Sequence, residues 1–96
     1  MAKTRINDYF NYLINCIYKI LPLKEEENDG LNDYIDGVLI QLYGSLHAYP
    51  DLNHNQKYLS IINTLEYLKN NGYTVKQCKR EVFRCINILQ HMIESG

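Results

Sequence analysis

The sequence predicts an all-α protein: an antiparallel four-helix bundle with helices near residues 5–21, 31–48, 54–71 and 75–94. Three observations carry that expectation. Apolar residues recur at three- and four-residue spacing in four blocks. The blocks are separated by short stretches rich in Pro, Gly, Asn and Asp. No run alternates with the period of two that a half-buried strand needs. Connections this short favour antiparallel neighbours, so residues 1–96 read as a single helical-bundle domain.

In the first block Ile6, Phe10, Leu13, Ile17 and Ile20 make one stripe, and Pro22 is expected to stop the helix. The acidic loop "LKEEENDG" follows, with Asp29 placed to cap the next helix. The second block uses Leu31, Ile35, Val38, Leu42 and Leu46 and ends before Pro50. Asn53 and Gln56 have the spacing of a capping box for the third helix. Its apolar residues are Tyr58, Ile61, Ile62, Leu65 and Leu68, and Gly72 is expected as a left-handed C-cap. Thr74 and Gln77 form a second capping box, with Tyr73 and Cys78 spaced as a hydrophobic staple. The last helix carries Val75, Cys78, Val82, Cys85, Leu89 and Met92 toward the core.

Composition narrows the function classes. With nine Tyr against two Phe and no Trp, much of the aromatic area has a polar tip, which suits core edges and interfaces. A net charge of −1 gives no global pull toward nucleic acid or anionic lipid, so any such role needs a local patch. The start "MAKTRINDYF" lacks an apolar leader core, and no segment reaches the roughly 18 apolar residues of a membrane span. A cytoplasmic protein without membrane contact is the expectation. Three cysteines agree with a reducing compartment, since Cys78 and Cys85 lie about 10 Å apart along a helix, beyond disulfide reach.

Two surfaces stand out. On the last helix Lys76, Arg80, Arg84, Asn87 and His91 share the side opposite the core stripe, while Glu81 can pair with Arg84. That basic face reads as solvated surface, or as a contact for phosphate or an acidic protein. On the second helix Gly37, Ile40, Gly44, His47 and Ala48 form a second stripe, with Tyr43 beside it. Each helical glycine costs about 1 kcal/mol relative to alanine, so close approach of another helix is expected to offset it. That helix belongs either to the same bundle or to a partner.

The stretch "RCINILQH" resembles the R-x4–6-H motif of HEPN ribonucleases, with six residues between Arg84 and His91 and Cys85 where that family usually has a polar residue. The resemblance covers eight residues. It implies a helical, dimeric nuclease in which His91 moves protons and Arg84 stabilises phosphate charge. No metal is expected: His47, His54 and His91 have no paired spacing with one another or with the cysteines. No G-x-x-x-x-G-K-[ST] phosphate loop and no paired carboxylates at a plausible cleft are present, so no cofactor is expected, and the cysteines lie on or beside core stripes where burial silences a thiol.

The function that these residues favour is a small interaction module: an inhibitor, an immunity-type antidote or an accessory regulator. It would bind a protein partner or self-assemble as a homodimer through Gly37, Ile40, Tyr43, Gly44, His47 and Ala48, without catalysis. The alternatives are the metal-independent ribonuclease using Arg84 and His91, and a weak nucleic-acid binder using the last helix.

Overall fold

The computed structural model describes residues 2–95, with side chains from Ile6 to Ile93. It is an all-α antiparallel four-helix bundle, and no strand occurs among the described residues. The first arm is α1 (Ala2–Tyr18) followed at once by a short α2 (Ile20–Glu25); then come α3 (Leu31–Ala48), a 3-10 turn (Pro50–His54), α4 (Gln56–Asn70) and α5 (Val75–Ser95). Around the bundle α1 packs on α3, α3 on α4, α4 on α5, and α5 back on α1. The diagonal is filled by side chains, with the Phe10 and Tyr58 rings 5.9 Å apart between α1 and α4.

The core is the one that the helical stripes describe. Leu13, Ile17, Ile20, Ile35, Leu42, Tyr58, Ile61, Leu65, Cys78, Val82, Cys85 and Leu89 are buried completely. Leu21, Leu39, Leu52 and Ile86 join them from positions off the expected stripes. Leu31, Leu46 and Met92 are only partly buried, and Val75 lies on the surface at the open end of α5.

Four expectations at the helix ends need correction. Pro22 does not stop the first helix. The chain breaks one turn earlier at Lys19 and restarts, so Pro22 falls in the first turn of α2, where its missing N–H costs nothing. Asp29 does not cap α3. Gly30 holds the N-cap position, and the Asn28 side chain accepts from the Gly30 N–H at 2.8 Å. Asn53 does not start α4: Asn55 does, accepting from the Tyr58 N–H at 3.0 Å. Asn53 instead donates to the carbonyls of Leu46 and Pro50, closing the end of α3 over the 3-10 turn. Gly72 is not left-handed. The side-chain amides of Asn70 and Asn71 take the carbonyls of Glu66 and Tyr67, so α4 ends without a glycine turn.

The residue that does adopt the left-handed conformation is Glu27, at φ 53°. Its N–H reaches the Lys24 carbonyl and the Asn28 N–H reaches the Leu23 carbonyl, the paired bonds of a Schellman ending. The capping box of α5 forms as expected, with reciprocal bonds of 2.9 and 3.1 Å between Thr74 and Gln77. Tyr73 packs on the core beside Cys78, as the staple spacing requires.

Candidate functional site

Core packing fixes which way α3 faces. Ile35, Val38, Leu39 and Leu42 turn inward, so Gly37, Ile40, Tyr43, Gly44, His47 and Ala48 all lie on its exposed side. Ile40 is 68% exposed, the most open large apolar side chain of the described residues. A Cβ added at Gly37 or Gly44 would meet nothing within 4 Å. The close approach of a helix from the same bundle is therefore excluded as the reason for these glycines. They leave two shallow depressions in the seam between α1 and α3, each about 330 to 360 Å³.

Two tyrosines hold that seam from opposite sides. The Tyr9 hydroxyl donates from α1 to the Gln41 carbonyl of α3, and the Tyr34 hydroxyl donates from α3 to the Cys16 carbonyl of α1, both at 2.6 Å. Burial of these phenols raises both pKa values, so they stay neutral donors. On the other flank of α3, Tyr43 donates to Glu66 at 3.1 Å and Lys69 pairs with Asp36 at 2.7 Å, which ties Tyr43 toward α4. The walls are thus pinned, and between Gly37 and Ala48 α3 itself carries no carboxylate, although Asp33 lines the depression beside Gly37. Tyr9, Tyr12 and Gln41 also belong to this surface, beyond the residues expected from the sequence. The three- and four-residue steps of Tyr9, Tyr12 and Cys16 along α1 were the available signal.

The basic face of α5 is exposed at Lys76, Arg80, Arg84 and His91. Its arginines are already engaged. Glu81 accepts from Arg80 at 3.3 Å and from Arg84 at 3.0 Å, and Arg84 also donates to the Thr64 hydroxyl on α4. Within one chain Arg84 is therefore directed at α4, whereas His91 stands in solvent two turns further along. An open cleft of about 330 Å³ between α4 and α5 is lined by Thr64, Tyr67, Tyr73, Gln77, Arg80 and Glu81. Beside it the Lys24 ammonium sits 4.4 Å above the Tyr73 ring.

Burial pushes the Cys85 thiol up to about 11 and raises that of Cys78, so neither supplies a thiolate at neutral pH. No group of three or more His, Cys, Asp or Glu converges among the described residues. Among the described residues no helix is long and apolar enough to cross a membrane. Comparison with known proteins adds no relative: no family model, curated protein or solved structure matches this chain.

Proposed function

We propose that this chain is a small interaction module that acts through the outer face of α3, with a second copy of itself as the occupant and no chemistry of its own. The observation that carries the reading is the pair of open glycines on either side of an exposed Ile40. Two helical glycines with nothing packed over them cost about 1 kcal/mol each. An exposed apolar strip between pinned walls is an unusual surface for a solitary monomer.

The order of residues along α3 favours self-pairing. A two-fold axis midway between Gly37 and Gly44 would pass between Ile40 and Gln41. An antiparallel two-fold crossing there sets each Gly37 against the Gly44 of the other copy. Asp33 lies in the first turn of the helix and His47 in its last, while Asp36 is held by Lys69. The same crossing brings the His47 end of one copy to the acidic end of the other, and it opposes the two helix dipoles. Inhibition, immunity or regulation would then follow from occlusion or scaffolding by the assembled pair.

Sedimentation of the purified protein across a concentration series tests this directly. A dimer that Gly44→Leu and Ile40→Asp both convert to monomer, with helicity unchanged, supports the reading. A wild-type monomer throughout the series removes the second copy. A different protein captured from lysate and lost with Ile40→Asp would then name the occupant, and failure of that too would retire the α3 face.

A further inference from the structure

The face between α1 and α5 is separate from the α3 surface and carries its own pattern. The Tyr18 and Phe83 rings meet edge to face at 6.2 Å across the two helices, yet Tyr18 remains 50% exposed and Phe83 38%. An aromatic pair that packs this openly leaves ring faces available to stack on something planar. Lys79 stands one turn before Phe83, Lys76 nearly two turns before it, and Lys19 follows Tyr18; all three are exposed, and none forms a salt bridge among the described residues.

Beyond the rings the face changes character. By the antiparallel register that sets Tyr18 opposite Phe83, the exposed amides of Asn15 and Asn11 on α1 run beside Asn87 and Gln90 on α5. The Asn11 amide nitrogen is used on the Asn7 carbonyl, so its oxygen is left as an acceptor. Among the residues with described side chains, three carboxylates stand near this face. By the same register Glu25 at the end of α2 comes opposite Lys76, Asp8 shares the side of α1 that carries Asn15 and Lys19, and Glu81 is held by Arg80 and Arg84.

We propose that this face binds single-stranded nucleic acid. Cations at one end, open rings in the middle and uncharged amides beyond are what a phosphate backbone with unstacked bases requires. Phosphates would meet Lys76, Lys79 and Lys19, one or two bases would stack on Tyr18 and Phe83, and the amides would meet base edges. A duplex offers no free base face to the rings. Because α5 lies diagonally across the bundle from α3, a pair joined through α3 would leave both strips open.

Fluorescence anisotropy with a labelled single-stranded RNA about 12 nucleotides long, the same DNA sequence and its duplex is the test. Expected is binding to the single strands with a log–log salt slope near −2, from about three phosphate contacts. Phe83→Ala should weaken it about tenfold, and joint Lys76→Glu and Lys79→Glu should abolish it. Ile40→Asp should leave it intact. Relative affinities for RNA and DNA then tell which strand the face prefers. Three results overturn the proposal: no binding at about 100 µM protein in low salt, equal affinity for the duplex, or full affinity in Phe83→Ala with its helicity intact.

Discussion

The Tyr58 hydroxyl ends on the Ser45 Oγ, 2.6 Å away, with both side chains inside the bundle. Ser45 gives its own proton to the Leu42 carbonyl at 2.6 Å, so the tyrosine must be the donor. The serine is thereby a relay: it satisfies a phenol on α4 through a carbonyl one turn back on α3. This buried polar link allows a tyrosine, rather than a phenylalanine, to fill the bundle diagonal opposite Phe10.

The two sides of that bond are not equivalent when cut. Ser45→Ala strands a buried hydroxyl and should cost about 1–3 kcal/mol. Tyr58→Phe leaves Ser45 its carbonyl partner and should cost about 0.5–1.5 kcal/mol. The double variant should be more stable than the sum of the two losses predicts, with coupling of about 1 kcal/mol. Urea unfolding of all four proteins measures this. Strict additivity would mean that Tyr58 has found another acceptor.

Alkaline pH should unfold this protein progressively. Burial pushes Tyr58 up to about 12 from 10.0 and Cys85 up to about 11 from 9.0. Above pH 9 the unfolded chain has lost protons that the native state still holds, so stability falls as pH rises. The contribution of these groups is complete below about pH 9 and is lost between about 9 and 12. Thermal midpoints taken from pH 7 to 11 should fall beyond pH 9, and less steeply in Cys85→Ala. An unchanged slope in that variant would show that the thiol is not the titrating group.

The left-handed Glu27 sets up a stabilising change. A residue with a Cβ pays about 1–2 kcal/mol in that conformation, and glycine returns part of the gain through its freer unfolded state. Glu27→Gly should therefore stabilise the fold by about 0.5–1 kcal/mol, seen as a higher urea midpoint at unchanged slope. A loss of stability would mean that the Glu27 side chain makes a contact worth more than its backbone strain.

The same turn explains what could be read from the sequence and what could not. The inward stripes were legible because burial acts on every third or fourth residue, and Ile35, Leu42, Val82 and Leu89 have no other way to leave water. The Thr74–Gln77 box was legible because both halves of the motif are side chains. The ending at Glu27 was not, because backbone bonds close it and the left-handed position is filled by a residue that carries no signal for it. Asn53 and Asn55 show another limit. Either can cap a helix, and only the length of the 3-10 turn decides between them. The glycines of α3 were visible as an anomaly, but their exposure was not, since period alone does not tell a second buried face from an open one.

Those glycines also allow folding and assembly to be separated in one experiment. An alanine at Gly37 or Gly44 enters open space and should raise the stability of the isolated chain by up to about 1 kcal/mol through helix propensity alone. At the proposed two-fold crossing the added methyl would hold the helices apart, because Gly37 and Gly44 mark the point where the backbones meet. Gly37→Ala with Gly44→Ala should therefore melt higher at dilutions where the wild type is monomeric, yet dimerise more weakly when concentrated. Sedimentation and thermal unfolding of the same samples measure both. A double variant that is more stable and dimerises as well as the wild type would move the contact away from the glycines. One that gains stability and loses assembly would show that the chain gives up fold stability at these positions for the sake of its interface.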